Sequence, residues 1–163
     1  MPPALDWRAE LARLLPLFGH RNWIVVSDSA FPAQVGAIEI LATGEDHLET
    51  VRTVIAAVSE APHVRPVVWL DVELNALVEE LAPGVEATRE ALTHALKDVP
   101  TASVMHADLL ERLSDVATTY RVLVLKTTGV VPYSSVFIEL DCGYWSARNE
   151  ARLRQVMEKV SVS

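Results

Sequence analysis

The stretch GHRNWIVVSDSAFP, residues 19–32, holds a short apolar run between two titratable side chains. The run extends from Trp23 to Val26, with His20 before it and Asp28 after it. Apolar residues at successive positions are typical of a strand that is buried on both faces, which favours a parallel sheet covered by helices. Ligands of such sheets bind beyond the carboxyl ends of the strands, so Asp28 is a candidate site residue.

Strand and helix patterns alternate along the rest of the chain. Besides 22–27, buried strands are predicted at 67–70 and 122–125, with further strands at 37–41, 101–105 and 136–140. Helices are predicted from Asp6 to about Phe18, from Asp46 to about Val58, over 71–81 and 85–97, from His106 to about Thr119, and from Trp145 to about Val160. This alternation predicts an α/β layered domain with a largely parallel sheet. We expect one domain over residues 1–144 and an additional C-terminal helix over 145–163.

Prolines and capping residues set the predicted boundaries. Asp6 and Asp46 are expected to cap the first two long helices, and Asp46 with Glu49 resembles a capping box. Pro16 is expected to distort or end the first helix. Pro62 and Pro66 bracket a predicted break before the strand at 67–70.

Composition excludes several classes of protein. The 163 residues are half hydrophobic and carry a formal charge of −8 without a basic stripe, which argues against nucleic-acid and anionic-membrane partners. The first residues lack the pattern of a signal peptide, and no apolar run has membrane-spanning length. The single cysteine, Cys142, excludes an internal disulfide and fits a reducing compartment, so a cytoplasmic location is expected.

Familiar catalytic and cofactor motifs are missing. There is no G-x-G-x-x-G, no Walker loop, no G-x-S-x-G and no H-E-x-x-H. The five histidines are scattered, and their spacing indicates no metal site. Any chemistry is therefore expected to use acid–base groups alone.

One group of side chains stands where a site would form. Asp28 follows one buried strand, and the loop 127–135, which contains Tyr133 and Ser135, follows another. His20 precedes its strand, so it reaches Asp28 only if the chain folds back or a neighbouring subunit supplies one of the two. From the residues alone, each of these side chains also has a purely structural explanation. His20 can be a capped-turn histidine, Asp28 a helix or turn cap, and Tyr133 an ordinary half-buried tyrosine. Asp71 and Glu73 also follow a strand, and either ligand contact or helix capping accounts for them.

Three segments resemble the D-ribose pyranase and L-fucose mutarotase family. LLPLFGHRNWIVVSDSAFP is similar to its opening helix, Gly-His, apolar strand and Ser/Cys-Asp-Ala with a following proline. TTGVVPYSSVFIEL resembles its Gly-x-x-x-Pro-Tyr-x-Asn segment, and VMHADLL resembles its histidine-bearing stretch before a helix. The resemblance covers about residues 8–141, including the layout of the middle helices. Three features depart from the family: Ser135 stands in place of the asparagine, the segment from His106 to Gly129 is several residues longer, and the helix from Trp145 lies beyond the resemblance.

The resemblance implies a fold, a reaction and a site. Members of the family interconvert anomers or ring forms of a free monosaccharide, need no metal or cofactor, and form rings, commonly decamers, with sites between subunits. By that analogy His20 is the principal acid/base and Asp28 orients it. Tyr133 bonds the sugar oxygens near C1 or O5, and His106 is a second acid/base or binds a distal hydroxyl. Ser135 takes the position of the asparagine that bonds sugar hydroxyls.

Three other functions stay open at this point. A non-catalytic sugar-binding or regulatory protein on the same fold is favoured by the serine at position 135. A structural ring-forming protein would use His20 only for assembly. An isomerase of another small polar metabolite is compatible with so generic an acid–base pair.

Overall fold

The computed structural model describes residues 6–34 and 36–161. The elements in chain order are α1 (Trp7–Leu14), β1 (Trp23–Ser27), β2 (Ile38–Ala42), α2 (His47–Glu60), β3 (Val64–Asp71), α3 (Glu73–Ala76), α4 (Val85–Ala95), β4 (Thr101–Val104), α5 (His106–Ala117), β5 (Val122–Lys126), β6 (Val136–Cys142) and α6 (Ala147–Ser161). The predicted α/β class is confirmed.

The strands form one mixed sheet in the order β2-β5-β1-β6-β3-β4. β1 and β2 each run parallel to β5, and β3 runs parallel to β4. β6 is antiparallel to both of its neighbours, β1 and β3, so it joins the two parallel groups. Five strands therefore share one direction, which confirms the largely parallel sheet, and β6 alone among the described strands opposes them.

Both faces of the sheet are covered by apolar side chains. Ile24 and Val26 belong to the core cluster that contains the apolar residues of α1, α2 and α4. Trp23 and Val25 belong to a second cluster with Leu109 and other residues of α5. Since successive side chains of a strand point to opposite faces, the unbroken apolar run of β1 is explained by a helical layer on each side.

The capping predictions hold for α1 and α2. Asp6 accepts hydrogen bonds from the backbone N–H groups of Arg8 and Ala9, and Asp46 accepts one from that of Glu49. The side chain of Glu49 pairs with Arg52 at 2.6 Å, so among the described contacts only the Asp46 half of the capping box is formed. α1 ends at Leu14, ahead of Pro16, as the proline predicts.

Three predicted boundaries are wrong. The first helix, expected to reach about Phe18, ends at Leu14. The helix expected over 71–81 is limited to α3, because the guanidinium of Arg89 donates hydrogen bonds to the carbonyls of Leu74 and Leu77 that a longer helix would have used. Pro66 lies inside β3 rather than in a break. β4 pairs with β3 only from Val68 onward, so the missing N–H of Pro66 removes no ladder bond on that side.

The C-terminal helix is peripheral. None of the described residues of α6 is buried. Before it, Trp145 donates its indole N–H to Glu150 at 2.7 Å and accepts a bond from Arg65 through its carbonyl. Across residues 6–34 and 36–161, no helix has both the length and the apolar character needed to cross a bilayer.

Candidate functional site

A cavity of about 510 Å³ lies at the edge where the parallel strands end. Asp28 follows β1, Asp71 is the last residue of β3, and His106 opens α5 directly after β4. Ser135 precedes β6, and the start of β6 lies at the same edge because that strand runs antiparallel. Tyr133, Gln34 and apolar side chains, with Phe31 and Leu113 among them, complete the lining. The topology thus gathers a phenol, an imidazole, a hydroxyl and two carboxylates.

Asp28 and Ser135 are joined by a hydrogen bond. The Ser135 hydroxyl donates to Oδ1 of Asp28 at 3.0 Å. Ser135 is buried and Asp28 is half-buried, so the carboxylate is held from one side while it lines the cavity. Within residues 6–34 and 36–161 no hydrogen bond engages the second oxygen of Asp28, which can therefore accept one from a ligand hydroxyl.

Asp71 and His106 form the second pair of the site. Nδ1 of His106 lies 2.8 Å from Oδ2 of Asp71, whose side chain is only 1% exposed. Burial raises the pKa of Asp71 to about 6, against the lowering effect of the neighbouring His106. At neutral pH the ionised carboxylate accepts Nδ1–H, and Nε2 of His106 is then the ring nitrogen available to a ligand.

The backbone around His106 is fixed as well. Both carboxylate oxygens of Glu73 accept the backbone N–H of His106, at 3.0 and 2.9 Å. A carboxylate at a helix N-terminus also interacts favourably with the helix dipole. Glu73 therefore caps α5 and holds the histidine at the mouth of the cavity.

Tyr133 occupies a strained position beside this pair. Its φ is +59°, in the left-handed region that residues with a side chain rarely adopt. Its ring meets that of His106 edge to face, with centroids 5.3 Å apart and an interplanar angle of 89°. The side chain is 39% exposed, so its hydroxyl is accessible to a ligand in the cavity.

His20 lies at the other end of β1. Its Nδ1 is 3.2 Å from Oδ1 of Asp141, and Arg65 donates to the second oxygen of that carboxylate at 2.6 Å. β1 has five residues, so its ends are roughly 13 Å apart at about 3.3 Å per residue. The expected contact in which Asp28 orients His20 is therefore not made within one chain, and between two chains it stays a prediction.

The structure brings together four of the five residues predicted for the site: Asp28, His106, Tyr133 and Ser135. Asp71 joins them, although the sequence left it between ligand contact and capping. A carboxylate that directly ends an apolar strand was the available signal. The sequence left Glu73 between ligand contact and helix capping, and the structure shows that it caps a helix.

One ligand atom each from Asp71, Glu73 and His106 lies within 4.8 Å of the others, a spacing that suits a cation. These groups are already bonded to one another, because Asp71 holds the imidazole and Glu73 holds the backbone N–H. We assign no ion to them.

The fold is similar to that of several solved proteins. The chain superposes on Bacillus subtilis RbsD in complex with D-ribose with a TM-score of 0.55 and 18% identity, covering 82% of this chain and 92% of that one. It superposes on the fucose mutarotase from Streptococcus pneumoniae in complex with L-fucose with a TM-score of 0.54 and 13% identity, covering 85% and 97%. FucU from Bifidobacterium longum gives 0.52 and 13%, covering 82% and 92%.

These matches confirm the resemblance to the D-ribose pyranase and L-fucose mutarotase family at the level of the fold. No protein-family model matches the chain, and no curated protein matches it.

Proposed function

We propose that this protein interconverts the anomers or ring forms of a free monosaccharide by acid–base ring opening without a cofactor. The observation that carries the proposal is the cavity at the carboxyl edge of the sheet, where Asp28, His106 and Tyr133 converge. The fold supports it, because two structural neighbours hold D-ribose and L-fucose.

The chemistry requires two proton transfers. A base takes the proton of the anomeric hydroxyl, the C1–O5 bond breaks, and an acid protonates the ring oxygen. The product is a neutral open-chain aldehyde, which rotates about C1–C2 and closes again by the reverse steps. Each positioned proton transfer typically contributes about 10²–10⁴-fold in rate.

The proposal gives each polar side chain discussed above a role. Nε2 of His106 is an acid/base, because Asp71 fixes the ring through Nδ1. Asp28 accepts a sugar hydroxyl on the oxygen that Ser135 leaves available. Tyr133 bonds the oxygens near C1 or O5. In this arrangement Ser135 supports Asp28 and contacts the sugar at the cavity wall.

In this proposal His20 takes part in the reaction only when subunits assemble. The chain is proposed to form a ring of identical subunits in which His20 of one subunit faces the cavity of the next. Asp28 would then orient it across the interface, and His20 and His106 would share the acid and base roles.

A non-catalytic sugar-binding protein is the second candidate. It is favoured by Ser135, because the Ser135 hydroxyl is engaged by Asp28 rather than directed freely at a ligand. Such a protein would bind a sugar saturably and leave its anomer exchange unchanged.

Saturation-transfer NMR at the anomeric protons of D-ribose, L-fucose and other free sugars distinguishes the two. For the mutarotase we expect exchange with at least one sugar, reduced about 100-fold or more in His106→Asn and Asp28→Asn. His94→Asn, on the exposed surface of α4, is the matched control and should exchange like the wild type. Binding without exchange in the wild type would establish the second candidate.

Subunit mixing tests the place of His20. His20→Ala and Asp28→Asn are each expected to be inactive as homo-oligomers. Co-assembled chains of the two variants would regain activity if the residues meet across an interface, since some interfaces then carry both native side chains. A mixture as inactive as its components, with co-assembly shown by mass, would exclude that arrangement.

A further inference from the structure

His47 is a buried titratable residue that the proposed mechanism does not use. It is the first residue of α2 and only 4% exposed. Its ring lies behind the cavity wall, where both nitrogens contact the segment that carries Tyr133. The position is therefore suited to act on the site through that segment.

The ring bridges the two ends of the segment 127–135. Nε2 lies 2.7 Å from the carbonyl oxygen of Ser134, and Nδ1 lies 2.9 Å from Oγ1 of Thr127. A carbonyl only accepts, so Nε2 carries the proton. The single hydroxyl proton of Thr127 faces two acceptors, Nδ1 of His47 and the carbonyl oxygen of Ser27, which lies 2.8 Å from Oγ1. Burial lowers the pKa of His47 despite the opposing charges of Asp28 and Asp46, which favours the neutral form of the ring.

The segment needs such a support because of its backbone. Tyr133 has φ +59°, and Ser134, the residue that His47 holds, follows it directly. The Ser134 hydroxyl donates in turn to the carbonyl of Val131 at 2.6 Å. The left-handed conformation of Tyr133 is thus fixed from the C-terminal side by a hydrogen bond from outside the segment.

The packing of the ring against the segment is equally close. A Cβ placed on Gly129 would lie 3.0 Å from Cβ of His47 and 3.3 Å from its Cγ. The backbone at Gly129 therefore passes so close to the histidine that a larger residue there would require one of the two to shift. His47 thus lies against Thr127, Gly129 and Ser134 of the segment.

We propose that His47 is a positioning residue: its Nε2–H holds the carbonyl of Ser134, and thereby sets Tyr133 and the Ser135–Asp28 pair at the cavity. The consequence for sugar binding rests on the proposed function, whereas the consequence for the segment does not. The role is carried by the Nε2 hydrogen bond specifically, so variants that differ at that atom separate it from simple packing.

Two amide substitutions make this separation. In His47→Gln the side-chain amide reaches the position of Nε2 and keeps a donor for Ser134. In His47→Asn the amide ends at the position of Nδ1 and keeps only the contact with Thr127. His63→Asn is the matched control, because Nε2 of His63 lies 3.0 Å from the carbonyls of Leu15 and Phe18, away from the cavity.

Amide hydrogen exchange over residues 129–135 and the Kd of the sugar are the measurements. For His47→Asn we expect exchange of this segment to rise about tenfold and Kd to rise about tenfold, which corresponds to one hydrogen bond. His47→Gln should stay within about threefold of the wild type in both measurements. His63→Asn should leave both at the wild-type values.

Equal values for His47→Asn and the wild type, or equal losses in His47→Asn and His47→Gln, would overturn the proposal. If the wild type binds no sugar, the proposed function fails. The hydrogen-exchange measurement still tests whether His47 holds the segment 129–135. If His47→Asn does not fold, the ring ¹⁵N shifts of the wild type decide. A proton resident on Nε2 supports the proposal, and one resident on Nδ1 contradicts it.

Discussion

Asp71 is a buried carboxyl group that also fixes a histidine of the candidate site. Its carboxyl group is buried, and one oxygen, Oδ1, has no hydrogen-bond partner among the described residues. Removing a carboxylate from water disfavours its charged form, and this effect raises the pKa to about 6. The same group fixes the ring of His106. A pKa near neutrality also makes the pair sensitive to small changes in its surroundings.

We predict that Asp71→Asn removes a pH dependence from the free energy of unfolding. Because the folded pKa lies above the ordinary value of 3.8, the contribution of Asp71 is fully present below about pH 4 and is lost as the pH rises through about 6. The wild type should lose up to about 3 kcal/mol relative to Asp71→Asn over this range. Urea unfolding between pH 4 and 8 measures the difference.

Asp98→Asn is the control for this titration, because Asp98 is exposed. The difference curve of Asp71→Asn should depend more strongly on pH than that of Asp98→Asn. Equal slopes for the two variants would contradict the prediction.

The location of a site residue could be predicted from the sequence only where an apolar run marks the end of a strand beside it. Asp28 and Ser135 flank apolar runs, so the sequence placed them at the edge of the sheet. The meeting of Asp71 and His106 depends on strand register, in which Asp71 pairs with Val104, two residues before His106. No pattern in a single sequence encodes that pairing. The separation of His20 from Asp28 within one chain, in contrast, followed from their places at opposite ends of β1.

The turn between α2 and β3 packs against the end of β6. The Gly143 N–H donates to the carbonyl of His63 at 3.0 Å. A Cβ on Gly143 would lie 2.6 Å from the carbonyl oxygen of Pro62 and 2.8 Å from the backbone nitrogen of Val64. These are backbone atoms that cannot rotate away, so the contact requires glycine.

Gly143→Ala is therefore predicted to destabilise the protein by about 1–3 kcal/mol, as overpacking does. Gly19→Ala is the control, since a Cβ there meets nothing within 4 Å, and its effect should stay within about 0.5 kcal/mol. Chemical denaturation of both variants is the measurement. Equal stability of the two variants would mean that the contact between β6 and the turn relaxes freely.

A second element-scale prediction concerns α3. The guanidinium of Arg89 donates to three carbonyls in and after this short helix, those of Leu74, Asn75 and Leu77. Arg89→Met keeps an unbranched apolar side chain and removes every donor. We expect a loss of about 2 kcal/mol in the free energy of unfolding, because hydrogen bonds from a charged donor are lost.

Arg52→Met is the comparison for that variant. Arg52 lies on the exposed side of α2 and pairs with Glu49 one turn away, so the loss should be about 0.5 kcal/mol or less. Thermal unfolding ranks the two variants. A larger loss for Arg52→Met would contradict the role given to Arg89.

Element identity was largely predictable and element extent was not. Apolar runs and capping residues located β1, β5, α2 and α5 to within a few residues, because those signals are local. The shortness of α3 depends on Arg89, which is distant along the chain. The inclusion of Pro66 in β3 depends on where β4 begins to pair. Both outcomes are tertiary effects that override local propensity.

At the scale of the whole molecule, α6 stands apart from the core. None of its described residues is buried, and its first turn bonds to Trp145 and Ser146 of the preceding chain through Asn149 and Glu150. Removal of residues 147–163 is predicted to change the free energy of unfolding by less than about 1 kcal/mol. Denaturation at several protein concentrations is the measurement. A larger, concentration-dependent loss would show that α6 is buried between subunits.

The central position of β6 has a consequence for biosynthesis. β2, β5 and β1 can pair with one another, and β3 can pair with β4, but only residues 136–142 connect these two groups. A nascent chain that has emerged to Lys126 therefore exposes the apolar edges of β1 and β3. Unpaired edges of this kind template aggregation. The polypeptide is therefore most prone to aggregation, and most in need of chaperones, between the emergence of Lys126 and the emergence of Cys142.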